Sequence, residues 1–129
     1  MDSQKRLGRI LVVDDEANAR LALADLLRDE GYKVDTAADA FKALGKLDSF
    51  APHVVLTDLR MPGMDGIELM EKIRSRPDPL PVVVMTAFGA VDSAVSAMRK
   101  GAADYLVKPI NFDELVIVLA RTLEREFLH

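Results

Sequence analysis

Ile10-Leu11-Val12-Val13-Asp14-Asp15 is a short apolar run that ends in two carboxylates, and three later runs repeat its form. Residues 54–57 run into Asp58, residues 82–85 into Thr86, and residues 103–107 into Lys108, followed by Pro109. A shorter run at 33–36 supplies one more strand. In a parallel α/β sheet, ligands bind outside the carboxyl ends of the strands. Such a sheet gathers three carboxylates, a hydroxyl and an ammonium at one edge, a set suited to a divalent cation and a phosphoryl group.

Between the runs lie segments of helical period. Ala19, Leu23, Leu26 and Leu27 form a stripe stopped by Gly31; Ala40, Ala43, Leu44 and Leu47 form another, opened by Asp39 as N-cap. Ile67, Met70 and Ile73 follow Asp65, and Val91, Ala94, Val95 and Met98 lead to Gly101. Phe112, Leu115, Val116, Leu119 and Leu123 follow Asn111. The β-α alternation, five times over, predicts a parallel sheet with helices on both faces. Pro and Gly concentrate in 60–66 and 76–81, both loops.

A chain of 129 residues, half of them hydrophobic and 29% charged, reads as one soluble domain spanning 1–129. Residues 1–8 form a polar lead without the apolar core of a signal peptide, and 120–129 end the last helix, a possible start of a linker to an output domain. Cys is absent, which excludes disulfides and thiolate metal sites and fits a cytoplasmic location. No run approaches the ~20 apolar residues of a membrane span. A net charge of −4 argues against direct nucleic-acid contact, so Lys5, Arg6 and Arg9 read as a solvated start to the first strand.

The carboxyl edge carries the chemistry. If strands one and three are neighbours, roughly 4.8 Å apart, Asp58 emerges beside Asp14 and Asp15. Ionised carboxylates repel by about 4 kcal/mol per contact at 4 Å and an effective dielectric near 20. One of them therefore holds a proton, or a cation neutralises the group. Mg²⁺ fits, since it takes one or two carboxylates, keeps several waters and brings phosphate oxygens with it. A carboxylate can attack phosphorus, and phosphoryl transfer needs mainly positioning and charge neutralisation. Asp58 is the nucleophile candidate because its loop is turn-rich; Asp14 and Asp15 serve the metal, while Lys108 and Thr86 stabilise charge.

At these residues the chain resembles the receiver domains of two-component response regulators. Ile10-Leu-Val-Val-Asp-Asp-Glu16, Asp58-Leu-Arg-Met-Pro-Gly-Met-Asp-Gly66, Val84-Met-Thr-Ala87 and Tyr105-Leu-Val-Lys-Pro109 match the family's signatures in order. The resemblance implies a flavodoxin-like (βα)5 fold with a five-stranded parallel sheet in the order 2-1-3-4-5. It implies that Asp58 accepts phosphate from a histidine kinase or histidine phosphotransfer protein. On that basis Asp58 catalyses its own phosphorylation and dephosphorylation without being a conventional turnover enzyme. Asp15, Asp58 and the Arg60 carbonyl would coordinate Mg²⁺, with Asp14 acting through water; Lys108 would bind a phosphoryl oxygen. Thr86 and Tyr105 would form the switch, Arg60 and Phe88 would tune the phosphate's lifetime, and Lys108–Pro109 would be cis. Residues 85–105 (MTAFGAVDSAVSAMRKGAADY) are similar to receivers of the nitrogen-regulation class, which precede an AAA+ ATPase and a DNA-binding domain.

Phosphorylation of Asp58 adds charge and acceptor oxygens beside Thr86, whose hydroxyl can swing in to donate; the resemblance implies that Tyr105 then turns inward to fill the vacated space. The fourth helix is the expected responder, because Gly89, Ser93, Ser96 and Gly101 lower its stability. Apolar residues at 115–128, with Val118 and Leu128 off the main stripe, suggest a phosphorylation-linked homodimer through the fourth and fifth helices. Met61, Met64 and Met70 read as packing, and His53 as a solvated or capped residue. A flavin carrier is disfavoured because Asp14-Asp15-Glu16 would repel its phosphate. An aspartyl phosphatase is disfavoured because position 60, where a second carboxylate would stand, is Arg. A stand-alone phosphorelay adaptor without a DNA-binding output remains the alternative.

Overall fold

β1 (Arg9–Val13), β2 (Lys33–Ala37), β3 (Val54–Asp58), β4 (Val82–Thr86) and β5 (Asp104–Val107) alternate with five helices. The helices are α1 (Ala17–Asp29), α2 (Ala40–Ser49), α3 (Gly66–Arg74), α4 (Val91–Arg99) and α5 (Phe112–Phe127). The computed structural model describes residues 8–87 and 89–127. All strand pairs are parallel and the order is β2-β1-β3-β4-β5. Val12 stands opposite Leu56, and Leu56 opposite Val83. The strand order reverses between β1 and β3, which opens a crevice at their carboxyl ends.

Strand side chains alternate between the two faces and build two cores. Ile10, Val12, Leu56, Val83, Met85 and Leu106 pack under α1 and α5. Leu11, Val13, Val55, Val82 and Val84 pack under α2 and α3. β1, β3 and β4 are therefore apolar on both faces, as their unbroken runs require. Asp39 and Asp65 accept from the backbone of Lys42 and Glu68 as N-caps, and Glu68 returns the bond to complete a capping box. Gly45 sits inside α2 with open space around it. Gly45→Ala is therefore expected to raise stability by about 0.5–1 kcal/mol through helix propensity alone. Thermal unfolding of the pair checks this.

Three helices pack differently from their sequence pattern. In α1 the buried face is Leu23, Ala24 and Leu27, while Leu26 is exposed because it falls on the flank of the contact. In α5, Val118 belongs to the buried face with Leu115, Leu119, Thr122 and Leu123, three residues on from Leu115, instead of lying off it. Leu128 falls outside the described residues.

α4 departs furthest. Only Ala94 and Ala97 are buried, whereas Val91, Val95 and Met98 are 68%, 44% and 40% exposed. Its N-cap, Ala90, offers no side-chain bond, and Gly89 and Gly101 flank the helix at positive φ instead of lying within it. Ser93 and Ser96 are its weak interior formers. Its C-terminal end is strapped to α3, where Arg74 donates to the Gly101 carbonyl at 3.3 Å and Lys100 pairs with Glu71.

At the opposite edge of the sheet, Arg9 is half-buried and tied down by hydrogen bonds at the start of β1. Its backbone N–H donates to His53 Nδ1 at 3.0 Å and its guanidinium to the Ala51 carbonyl at 2.8 Å. Lys5 and Arg6 lie outside the described residues. His53 also stacks at a tilt on Phe127, and burial together with the Arg9 charge pushes its pKa down, against Glu126. No helix among the described residues is long and apolar enough to cross a membrane.

Candidate functional site

Asp58 and Thr86 are the last residues of β3 and β4, and Asp14 and Asp15 follow β1 directly. Ladder bonding reaches past the strands: Asp14 N–H donates to the Ala37 carbonyl and Lys108 N–H to the Thr86 carbonyl. These bonds extend the β1–β2 and β4–β5 ladders beyond the strands, and Leu59 N–H, donating to the Met85 carbonyl, does the same for β3 and β4. The Lys108–Pro109 peptide is cis, as the resemblance implied.

Carboxylate oxygens of Asp14, Asp15 and Asp58 all lie within 4.8 Å of one another. Asp14 is fully buried, Asp58 is 9% exposed, and Asp15 faces solvent. Lys108 Nζ sits 2.8 Å from Asp58 Oδ2 and 3.4 Å from Asp14 Oδ2. Burial pushes the Asp14 carboxyl up and the nearby Asp58 charge adds to this, against the Glu16 N–H and Lys108. Burial would lower the Lys108 pKa, but bonding to Asp58 and the charge of Asp14 outweigh it and raise it. The ammonium thus does part of the neutralising that the crowded carboxylates demand.

The residues fit a hard divalent cation. Three carboxylates each bring an oxygen within 4.8 Å of the others, the exposed Asp15 leaves room for coordinated water, and among the described residues no thiolate or imidazole joins the cluster.

Around this centre the backbone is held by local bonds. Asp14 Oδ1 accepts from Glu16 N–H and Asp58 Oδ1 from Arg60 N–H. Thr57, buried behind the site, donates its hydroxyl to the Asp58 carbonyl. Glu16 caps α1 through bonds from Ala19 and Asn18 N–H. Glu is not among the residue types that mark an N-cap in a sequence, so this role of Glu16 shows only in the structure. The Arg60 side chain is exposed, while Met61 and Met64 are buried in the core as packing residues. Phe88 lies outside the described residues.

Thr86 is buried and Tyr105, on the neighbouring strand, is 41% exposed. Between them lies a cavity of about 260 Å³ lined by Ala90, Ala94, Val95 and Met98 of the α4 segment. Val91, which shares the exposed α4 stripe with Val95 and Met98, also lines it.

A doubly wound sheet with a lysine-bridged acidic cluster at its switch point defines the class of protein. Residues 10–120 match the response regulator receiver domain, and the chain belongs to that family. Over 118 residues it is 42% identical to the regulatory protein AtoC of Escherichia coli, a match covering 92% of this chain and 26% of that protein. It is 42% identical to the DNA-binding transcriptional regulator NtrC of Salmonella typhimurium over 116 residues, covering 90% and 25%. The receiver domain of NtrX from Brucella abortus shares the fold with a TM-score of 0.84 at 42% identity, covering 89% of this chain and 98% of that one. The chain spans about a quarter of the length of the curated relatives it matches.

Proposed function

We propose that Asp58 is the phosphoryl acceptor, and that its phosphorylation switches the α4–α5 face to control transcription. The observation that supports this is the placement of one nearly buried carboxylate in contact with an ammonium and within a three-carboxylate cluster. A carboxylate oxygen of Asp58 attacks the phosphorus of a phosphohistidine on a kinase or phosphotransfer protein. The P–N bond breaks, its electron pair goes to the imidazole nitrogen, and that nitrogen takes a proton. Water later attacks the same phosphorus and releases Asp58.

Asp14, Asp15, Asp58 and the Arg60 carbonyl would hold Mg²⁺, which supplies charge neutralisation at the phosphoryl oxygens. Lys108 passes its hydrogen bond from the Asp58 carboxylate to a phosphoryl oxygen. The Thr86 hydroxyl donates to another, and Tyr105 turns into the cavity that Thr86 and α4 border. That exchange repositions α4, which lacks a side-chain cap and has few buried residues to resist it. Relatives named as DNA-binding transcriptional regulators, about four times longer than the match, support a DNA-binding output domain. They also favour that reading over a stand-alone adaptor, and a cytoplasmic location goes with it. An AAA+ domain beside the DNA-binding one and a phosphorylation-linked homodimer through α4 and α5 complete the proposal, the latter resting on the exposed apolar stripe of α4.

The test is intact-mass analysis after acetyl phosphate, with and without Mg²⁺, for wild type and Asp58→Asn. One phosphoryl adduct that needs Mg²⁺ and disappears in the variant is expected. An adduct retained by Asp58→Asn would place the acceptor elsewhere.

A further inference from the structure

We propose that Gly66 is a positioning residue for the acceptor site, a role that rests on Asp58 being the acceptor. Its missing side chain lets the first turn of α3 lie directly on the Asp58–Leu59 peptide, and this contact sets where Asp58 and the Arg60 carbonyl stand.

A Cβ on Gly66 would lie 2.4 Å from the Asp58 carbonyl oxygen, 2.9 Å from Leu59 Cα and 3.1 Å from the Asp58 carbonyl carbon. All three atoms are backbone, so no rotamer change relieves the overlap. Gly63, Gly89 and Gly101 have positive φ, whereas Gly66 is the first residue of a regular helix. Its identity answers a need for space, not for an unusual backbone conformation.

The neighbouring bonds direct the strain toward the site. Gly66 N–H donates to the Leu59 carbonyl at 2.9 Å and closes the loop that carries Arg60. Arg60 N–H in turn donates to Asp58 Oδ1 at 3.3 Å. On its other side α3 cannot retreat, because Leu69, Met70 and Ile73 are fully buried and Asp65 and Glu68 lock its start. The backbone after Asp58 is therefore the part that yields. A displacement of about 1 Å at a reacting group can cost 10²-fold in rate.

The experiment compares Gly66→Ala with Asp65→Ala, which weakens the same helix start without pushing on Asp58, and with Gly45→Ala as a neutral site. Each is checked for its fold by circular dichroism. Mg²⁺ affinity is then read from amide resonances, and the Asp58 phosphorylation rate from acetyl phosphate. Gly66→Ala is expected to lose about 10- to 100-fold in rate, and several-fold in Mg²⁺ affinity, while the other two stay near wild type. A folded Gly66→Ala that matches wild type in both, or an Asp65→Ala that loses as much, overturns the proposal. If Gly66→Ala does not fold, the Gly66 amide of wild type decides. Movement in step with the Asp58 amide during Mg²⁺ titration supports the role, and a silent Gly66 overturns it. A wild type that binds Mg²⁺ but takes no phosphate would instead overturn the acceptor reading.

Discussion

Lys108→Ala is expected to slow phosphorylation of Asp58 by about 10²–10³-fold, the usual loss when one preorganised charge-stabilising donor is removed from a reacting centre. Among the described residues, no other side-chain cation is bonded to the Asp14 or Asp58 carboxylate. Its ammonium already stands where charge develops, and the β5–α5 junction holds it there through the bond from Lys108 N–H to the Thr86 carbonyl. The fold should survive, because without the ammonium the buried Asp14 carboxyl holds its proton more strongly and the site need not carry two unpaired charges. Lys108→Arg keeps the charge but replaces a point donor with a planar fork, and should recover only part of the rate. Rates from acetyl phosphate at saturating Mg²⁺ check this. A Lys108→Ala rate close to wild type would reduce the ammonium to a counterion of the resting state.

Asp14→Asn is expected to have opposite effects on stability and on metal binding. The wild-type carboxylate is fully buried beside Asp58, and burial raises its pKa. The native state therefore holds the Asp14 proton to higher pH than the unfolded chain, whose value is near 3.8. Between those two values the native state binds more protons, so this group's contribution to stability falls as pH rises. Asn fills the same space, keeps an acceptor for Glu16 N–H and carries no charge. In metal-free buffer at neutral pH the variant should be about 1 kcal/mol more stable, which raises Tm by roughly 3–6 °C. Mg²⁺ affinity should fall at the same time.

The comparison must be made between the two proteins across pH, because other groups run the other way. Burial would raise the Asp35 pKa, yet the bonds from Lys46 and from Thr36 N–H outweigh it and hold that carboxyl low. Its contribution is present above the unfolded value and is lost as pH falls. Thermal melts from acid to neutral pH in a chelator give the difference directly. A variant no more stable than wild type at neutral pH would show that Lys108 and Glu16 N–H fully offset the burial of the charge.

The legible part of this protein was its central strands and what stands at their ends. Strands buried on both faces must be written as unbroken apolar runs, so β1, β3 and β4 could be located to within a residue. The residues that close those runs could be assigned to one edge because parallel strands share a direction. Asp39 was equally readable as a cap, since capping is a bond between residues three apart and needs no tertiary partner.

Contacts between distant segments were not readable in this way. The apolar stripe of α4 looks like any core-facing helix, yet Val91, Val95 and Met98 stand exposed beside Tyr105 because α4 approaches the sheet only through its two small alanines. Val118 joined the buried face of α5 for a similar reason, since the angle at which a helix meets the sheet selects its contact stripe. The sequence by itself determined which elements form and which chemical groups end them, because those depend on local periodicity, capping and strand direction. Tertiary structure alone decided which face of α4 stays bare, how the Lys108 ammonium is shared between Asp14 and Asp58, and why position 66 has no room for a side chain. Those are distances between segments far apart in the chain, set only when helices and strands pack.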